Sequence, residues 1–86
     1  ERHQLGLAAA LERDGEGWSL VLSTQRFAQS VEIVDPYWRP EQNWFHLAPG
    51  EPRRIRLLRR TGSEAAPAGE ITAVNATERV SYAVPA

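Results

Sequence analysis

Apolar residues recur at every second position along much of this chain. Leu5, Leu7, Ala9 and Leu11 alternate with Gly6, Ala8, Ala10 and Glu12, and Trp18, Leu20 and Leu22 alternate with Ser19, Val21 and Ser23. A repeat of two places one set of side chains on each face of an extended backbone, so both segments read as half-buried strands. Residues 13–17 between them contain the step Asp14-Gly15, which supplies the positive φ of a tight hairpin turn. A third strand is expected over 28–34, with Val31 and Ile33 on one face and Ser30 and Glu32 on the other, until Pro36 removes a backbone donor and ends it. Pro36, Pro40, Pro49, Gly50 and Pro52 then break up residues 35–52, leaving only a short strand around Trp44, Phe45 and Leu47. Ile55 and Leu57 alternate with Arg54 and Arg56, residues 61–69 are small, polar and proline-containing, and residues 70–76 and 80–84 read as the last two strands.

The segment 5–13 has the Ala and Leu content of a helix. Its apolar positions would nevertheless scatter around a helix instead of forming a stripe, and a glycine-rich turn follows it. About seven short strands with frequent turn signals predict an all-β fold, an antiparallel β-sandwich of immunoglobulin-like topology.

Composition narrows the function. At 86 residues and 9.6 kDa the chain makes one domain, too small for an autonomous multi-part active site. It has no Cys, which removes disulfides, zinc–thiolate sites and thiol catalysis together. No apolar run approaches the roughly 20 residues that span a bilayer, and a net charge of -1 is unlike the basic surface that nucleic acid requires. Neither a membrane nor a nucleic-acid partner is therefore expected. All ten positive charges are Arg, a compositional bias that also suits interfaces. The chain begins at Glu1, not Met, as expected of a domain excised from a longer protein.

Residues 27–33 (Phe-Ala-Gln-Ser-Val-Glu-Ile), the run Pro36-Tyr37-Trp38-Arg39-Pro40 and the segment from Gln42 through Asn43, Trp44, Phe45, His46, Leu47, Ala48, Pro49 and Gly50 to Glu51 form a more specific pattern. They resemble the C-terminal immunoglobulin-like domain of β-mannosidases of glycoside hydrolase family 2. Asn43, Trp44, Phe45, Leu47, Pro49 and Gly50 match the family's Asn-aromatic-Phe-x-Leu-x-Pro-Gly segment, while Gln42 stands where Asp is usual. Residues 70–76 are similar to the domain's penultimate strand, so the resemblance spans roughly 18–84. It implies a non-catalytic accessory domain, packing against the remaining domains of a retaining exo-glycosidase that removes terminal non-reducing β-D-mannosyl residues. The parent's two catalytic glutamates would lie in a separate (β/α)₈ barrel.

Within this chain Asp35 and Glu41, flanking the aromatic loop, are the only acids worth pairing for catalysis, and no barrel or cleft-forming helix accompanies them. The loop itself is the candidate site. Tyr37, Trp38, Arg39, Asn43, Trp44 and His46 suit either docking onto a parent enzyme or contact with a sugar, whose C–H face stacks on aromatic rings; the latter would make the chain an independent carbohydrate-binding module. Trp44 and Phe45 could equally complete the core, with Phe45 and Leu47 inward and Tyr37, Trp38 and Arg39 outward. Arg53, Arg54, Arg56, Arg59 and Arg60 look like a polyanion site, but strand parity makes them a charged edge. No cofactor is indicated, and no metal site: His46 lacks a recognisable second ligand. Asn75-Ala76-Thr77 fits a glycosylation acceptor, or a turn at a strand end.

Overall fold

The computed structural model describes residues 1–85, which contain strands, turns and loops and no helix. Eight strands are formed: β1 (Ala8–Asp14), β2 (Gly17–Ser23), β3 (Ala28–Val34), β4 (Trp38–Pro40), β5 (Phe45–Leu47), β6 (Arg53–Arg59), β7 (Ala68–Thr72) and β8 (Val80–Ala83). They make two antiparallel sheets, ordered β1-β2-β6-β4 and β5-β3-β7-β8. This is the expected sandwich, with one strand more than expected. The added strand is β4, which pairs Trp38 with Arg59 and Pro40 with Leu57 at the sheet edge, the place where a strand tolerates proline.

The first hairpin turns on Gly15 and Glu16, and of these only Gly15 has positive φ, the pattern of a type II′ turn. Leu5 and Leu7 are buried as their spacing demands, but they precede β1, because Gly6 takes φ +75 and breaks the extended backbone. The core lies between the sheets. Leu20, Leu22, Ile55 and Leu57 from one face Val31, Ile33, Leu47 and Ile71 from the other, each removal from water contributing about 1.5–3 kcal/mol.

β3 carries one residue more than its neighbour. Ala28 pairs with Leu47 and Val31 with Phe45, so three steps along β3 match two along β5. The extra step is a β-bulge at Ser30, whose φ is +50, and it allows Ala28 and Val31 both to face the core despite their odd spacing. His46 serves this bulge: its Nδ1 accepts the Ser30 N–H at 3.1 Å.

β7 begins at Ala68, two residues earlier than the sequence suggests. Gly69 belongs to it because a Cβ there would collide with the Val34 carbonyl and with Tyr82 Oη. The strand then ends at Thr72, and Asn75 lies in the following turn. There its side chain stands in for a strand, with Oδ1 accepting from Gln29 N at 2.8 Å and Nδ2 donating to Phe27 O at 3.0 Å.

Candidate functional site

Asn43 repeats that device at the other end of β3. Its Oδ1 accepts the Ile33 N–H at 2.7 Å and its Nδ2 donates to Ile33 O at 3.0 Å, so one amide side chain continues the β3–β5 ladder. The same Oδ1 also accepts Trp44 N at 3.1 Å. Trp44 follows at φ +55, a left-handed conformation that costs a bulky residue about 1–3 kcal/mol. The strain aims the side chain outward. Trp44 is 66% exposed, and with Glu32 it lines two adjoining clefts.

The larger cleft, of about 510 Å³, runs from Trp44 past Glu32, Ile33 and Val34 on β3 to Arg39 and Pro40 on β4, with Asn43, Glu41 and Arg60 at its border. The smaller, of about 290 Å³, opens toward Thr72 and the turn after β7. Of the six residues expected at a site, Arg39, Asn43 and Trp44 thus come together. Glu32, Val34 and Arg60 join them; the sequence places Glu32 on the polar face of a strand and Arg60 in the arginine cluster, and assigns none of the three to this site.

The other three part company. Trp38 points inward, against the expectation that it faces out: it is 3% exposed, its Nε1 donates to Ala65 O at 2.8 Å, and the Arg59 guanidinium covers its ring at 4.6 Å. The cause is β4, whose parity was unreadable while residues 35–43 looked like loop. Tyr37 and Arg39, either side of it, are exposed as expected. His46 lies over the bulge with its ring 5.5 Å from that of Phe27. Phe45 is half-buried and Leu47 buried, so the inward assignment holds for both, whereas Trp44 takes no part in the core.

The arginine cluster is spread over separate structural tasks. Arg53 covers the Phe45 ring at 4.5 Å across the two sheets and bonds Gln42 Oε1 at 2.8 Å, Arg54 pairs with Glu12 at 2.6 Å, and Arg56 approaches Asp14 at 3.5 Å. Arg60 Nε donates to the backbone oxygen of Asp35. Such a set presents no continuous track for a polyanion.

Asp35 does not pair with Glu41. It is 2% exposed, and its carboxylate accepts from Tyr37 N at 2.7 Å and Trp38 N at 2.9 Å through Oδ1, and from Ala68 N at 3.2 Å and Tyr82 Oη at 2.9 Å through Oδ2. Four donors on one buried carboxylate satisfy it and tie β7 and β8 to the β3–β4 loop. Burial pushes the Tyr82 phenol well above its usual range, and the charge and hydrogen bond of Asp35 push the same way, so Tyr82 stays a donor.

A second carboxylate is used similarly. Glu78 accepts the N–H groups of Leu5, Gly6 and Leu7 at 2.9–3.1 Å, three successive donors that the left-handed Gly6 turns toward one point. With the His3 N–H on Asn75 O and the Thr77 N–H on His3 O, this fastens the N-terminal segment to the turn after β7.

Comparison with protein families finds residues 2–77 matching the Ig-fold domain of mannosidases. No curated protein and no solved structure matches the chain. The matched span takes in the β1–β2 hairpin, reaching further toward the N-terminus than the resemblance over residues 18–84, and stops short of β8.

Proposed function

The chain belongs to the mannosidase family of Ig-fold domains, and from that premise we propose that it is the non-catalytic C-terminal accessory domain of a β-mannosidase. The parent hydrolyses terminal non-reducing β-D-mannosyl residues with retention of configuration, through two glutamates of a separate barrel. This domain packs against the parent's other domains. The family match over residues 2–77 carries the reading. It is supported by Phe27 and Val74, exposed apolar side chains brought to one end of the β3–β7 pair by the Asn75 bonds, and by exposed Tyr37 at the other end. Fixed apolar groups of this kind suit a protein interface.

A second reading, an independent carbohydrate-binding sandwich, is favoured by exposed Trp44 beside its clefts. The product of the complete reading frame separates the two. Under the accessory reading it contains a barrel and releases mannose from β-1,4-mannobiose, and Phe27→Ala with Val74→Ala lowers its stability by about 1 kcal/mol or more while leaving this 86-residue chain within about 0.5 kcal/mol of wild type. A reading frame without a barrel, or a full-length protein indifferent to both substitutions, overturns it.

A further inference from the structure

Trp44 combines three properties that a merely structural residue does not need together: a left-handed backbone, a largely exposed indole, and a main chain pinned to β3 through Asn43. Backbone strain that presents a side chain to water points to a ligand. We propose, as a sharpening of the carbohydrate-binding reading, that the larger cleft beside Trp44 binds a neutral sugar whose C–H face lies on the indole.

The cleft's size and chemistry select that ligand. About 510 Å³ lies within the roughly 300–1,000 Å³ of small-molecule sites. Trp44 and Val34 supply apolar surface; of the charged lining residues, Asp35 is taken up by its own four donors, which leaves Glu32 and Glu41 against Arg39 and Arg60. A phosphate or sulfate ester would meet the carboxylates of Glu32 and Glu41, and an acyl chain would have to desolvate these and both guanidiniums. A sugar meets neither cost. Its hydroxyls both donate and accept, adjacent pairs of them match the two oxygens of a carboxylate or the fork of a guanidinium, and its C–H face covers an aromatic ring. Glu32, Glu41 and Arg39 take part in no ion pair among the described residues, unlike Arg54, Arg56 and Arg79, so their charges are available to a ligand. The Asn43 bonds hold the platform in place before binding, which spares the complex an ordering cost.

This site does not require the accessory reading, and its test is separate from the full-length stability measurement. The purified 86-residue chain is titrated with β-1,4-mannobiose and mannotriose, followed by tryptophan fluorescence and amide chemical shifts. Saturable binding is expected, with shifts at residues 32–34, 39–44 and 60. Trp44→Gly, which accepts the left-handed backbone without the ring, and Glu41→Gln are each expected to weaken affinity about tenfold or more, while Glu16→Gln in the exposed first hairpin turn leaves it unchanged. Absence of saturable binding, binding indifferent to Trp44→Gly in a folded variant, or equal affinity for a sulfated oligosaccharide overturns the proposal.

Discussion

Trp38 shows how much one side chain can organise. Its ring fills the core beside β6, its indole N–H holds the loop before β7 through Ala65 O, and its backbone N–H is one of the four donors on Asp35. Trp38→Ala removes the ring and leaves a carbonyl unpaired, with an expected loss of about 3–5 kcal/mol, a large part of the roughly 5–15 kcal/mol that stabilises a small domain. Urea unfolding of the chain measures it, and a midpoint equal to wild type would contradict the burial argument. The sequence hides the inward face of this residue for a definite reason. Alternation assigns faces only inside a recognised strand, and β4 is three residues long, ends in proline and sits among turn signals. Asn43 was legible as a candidate but not as a clamp, because an amide that replaces a strand partner leaves no periodic trace.

At the scale of elements, the Leu5–Gly6–Leu7 segment and the turn after β7 are held together by Glu78. Burial alone would raise this carboxyl; the N–H groups of Leu7, Glu78 itself, Leu5 and Gly6 outweigh it and hold the group below its usual range. A carboxyl with a lower folded than unfolded pKa binds fewer protons when folded. Its contribution to stability is therefore complete above the unfolded value, about 4.3, and is lost as pH falls through the folded one. Stability should decline below about pH 4–5, and Glu78→Gln should be less stable at neutral pH with a shallower acid decline; parallel pH profiles for the two proteins would remove Glu78 from this role. The elements themselves were largely readable. The first hairpin, β5, β6, β8 and the part of β3 from Val31 onward follow from alternation and turn residues, because each has a simple pleat with one face in the core. The Ser30 bulge was not, since a serine at positive φ carries no glycine signal, and the start of β7 was obscured because Gly69 looks like a turn residue when it is there to admit the Val34 carbonyl.

For the whole molecule, the decisive feature is the order of strands. Only β1–β2 and β7–β8 join neighbours in one sheet, and the other five of the seven connections pass from one sheet to the other. The sandwich was legible from the count and spacing of strands, whereas this order was not, because pairing between distant segments depends on contacts no local pattern encodes. Arg53 over Phe45 and the N-terminal segment bound to Glu78 bridge the layers further. A chain threaded in this way has no half that can detach with its own hydrogen bonds intact. Amide hydrogen exchange should therefore report a single opening event: Leu20 and Ile55 in one sheet and Val31 and Ile71 in the other should reach the same limiting free energy, equal to that of global unfolding. Two separate limits, one for each sheet, would show the layers to be independent. Under one limit, any group that grips either sheet slows solvent access to both, so the interior of this small domain is guarded jointly by residues that never touch.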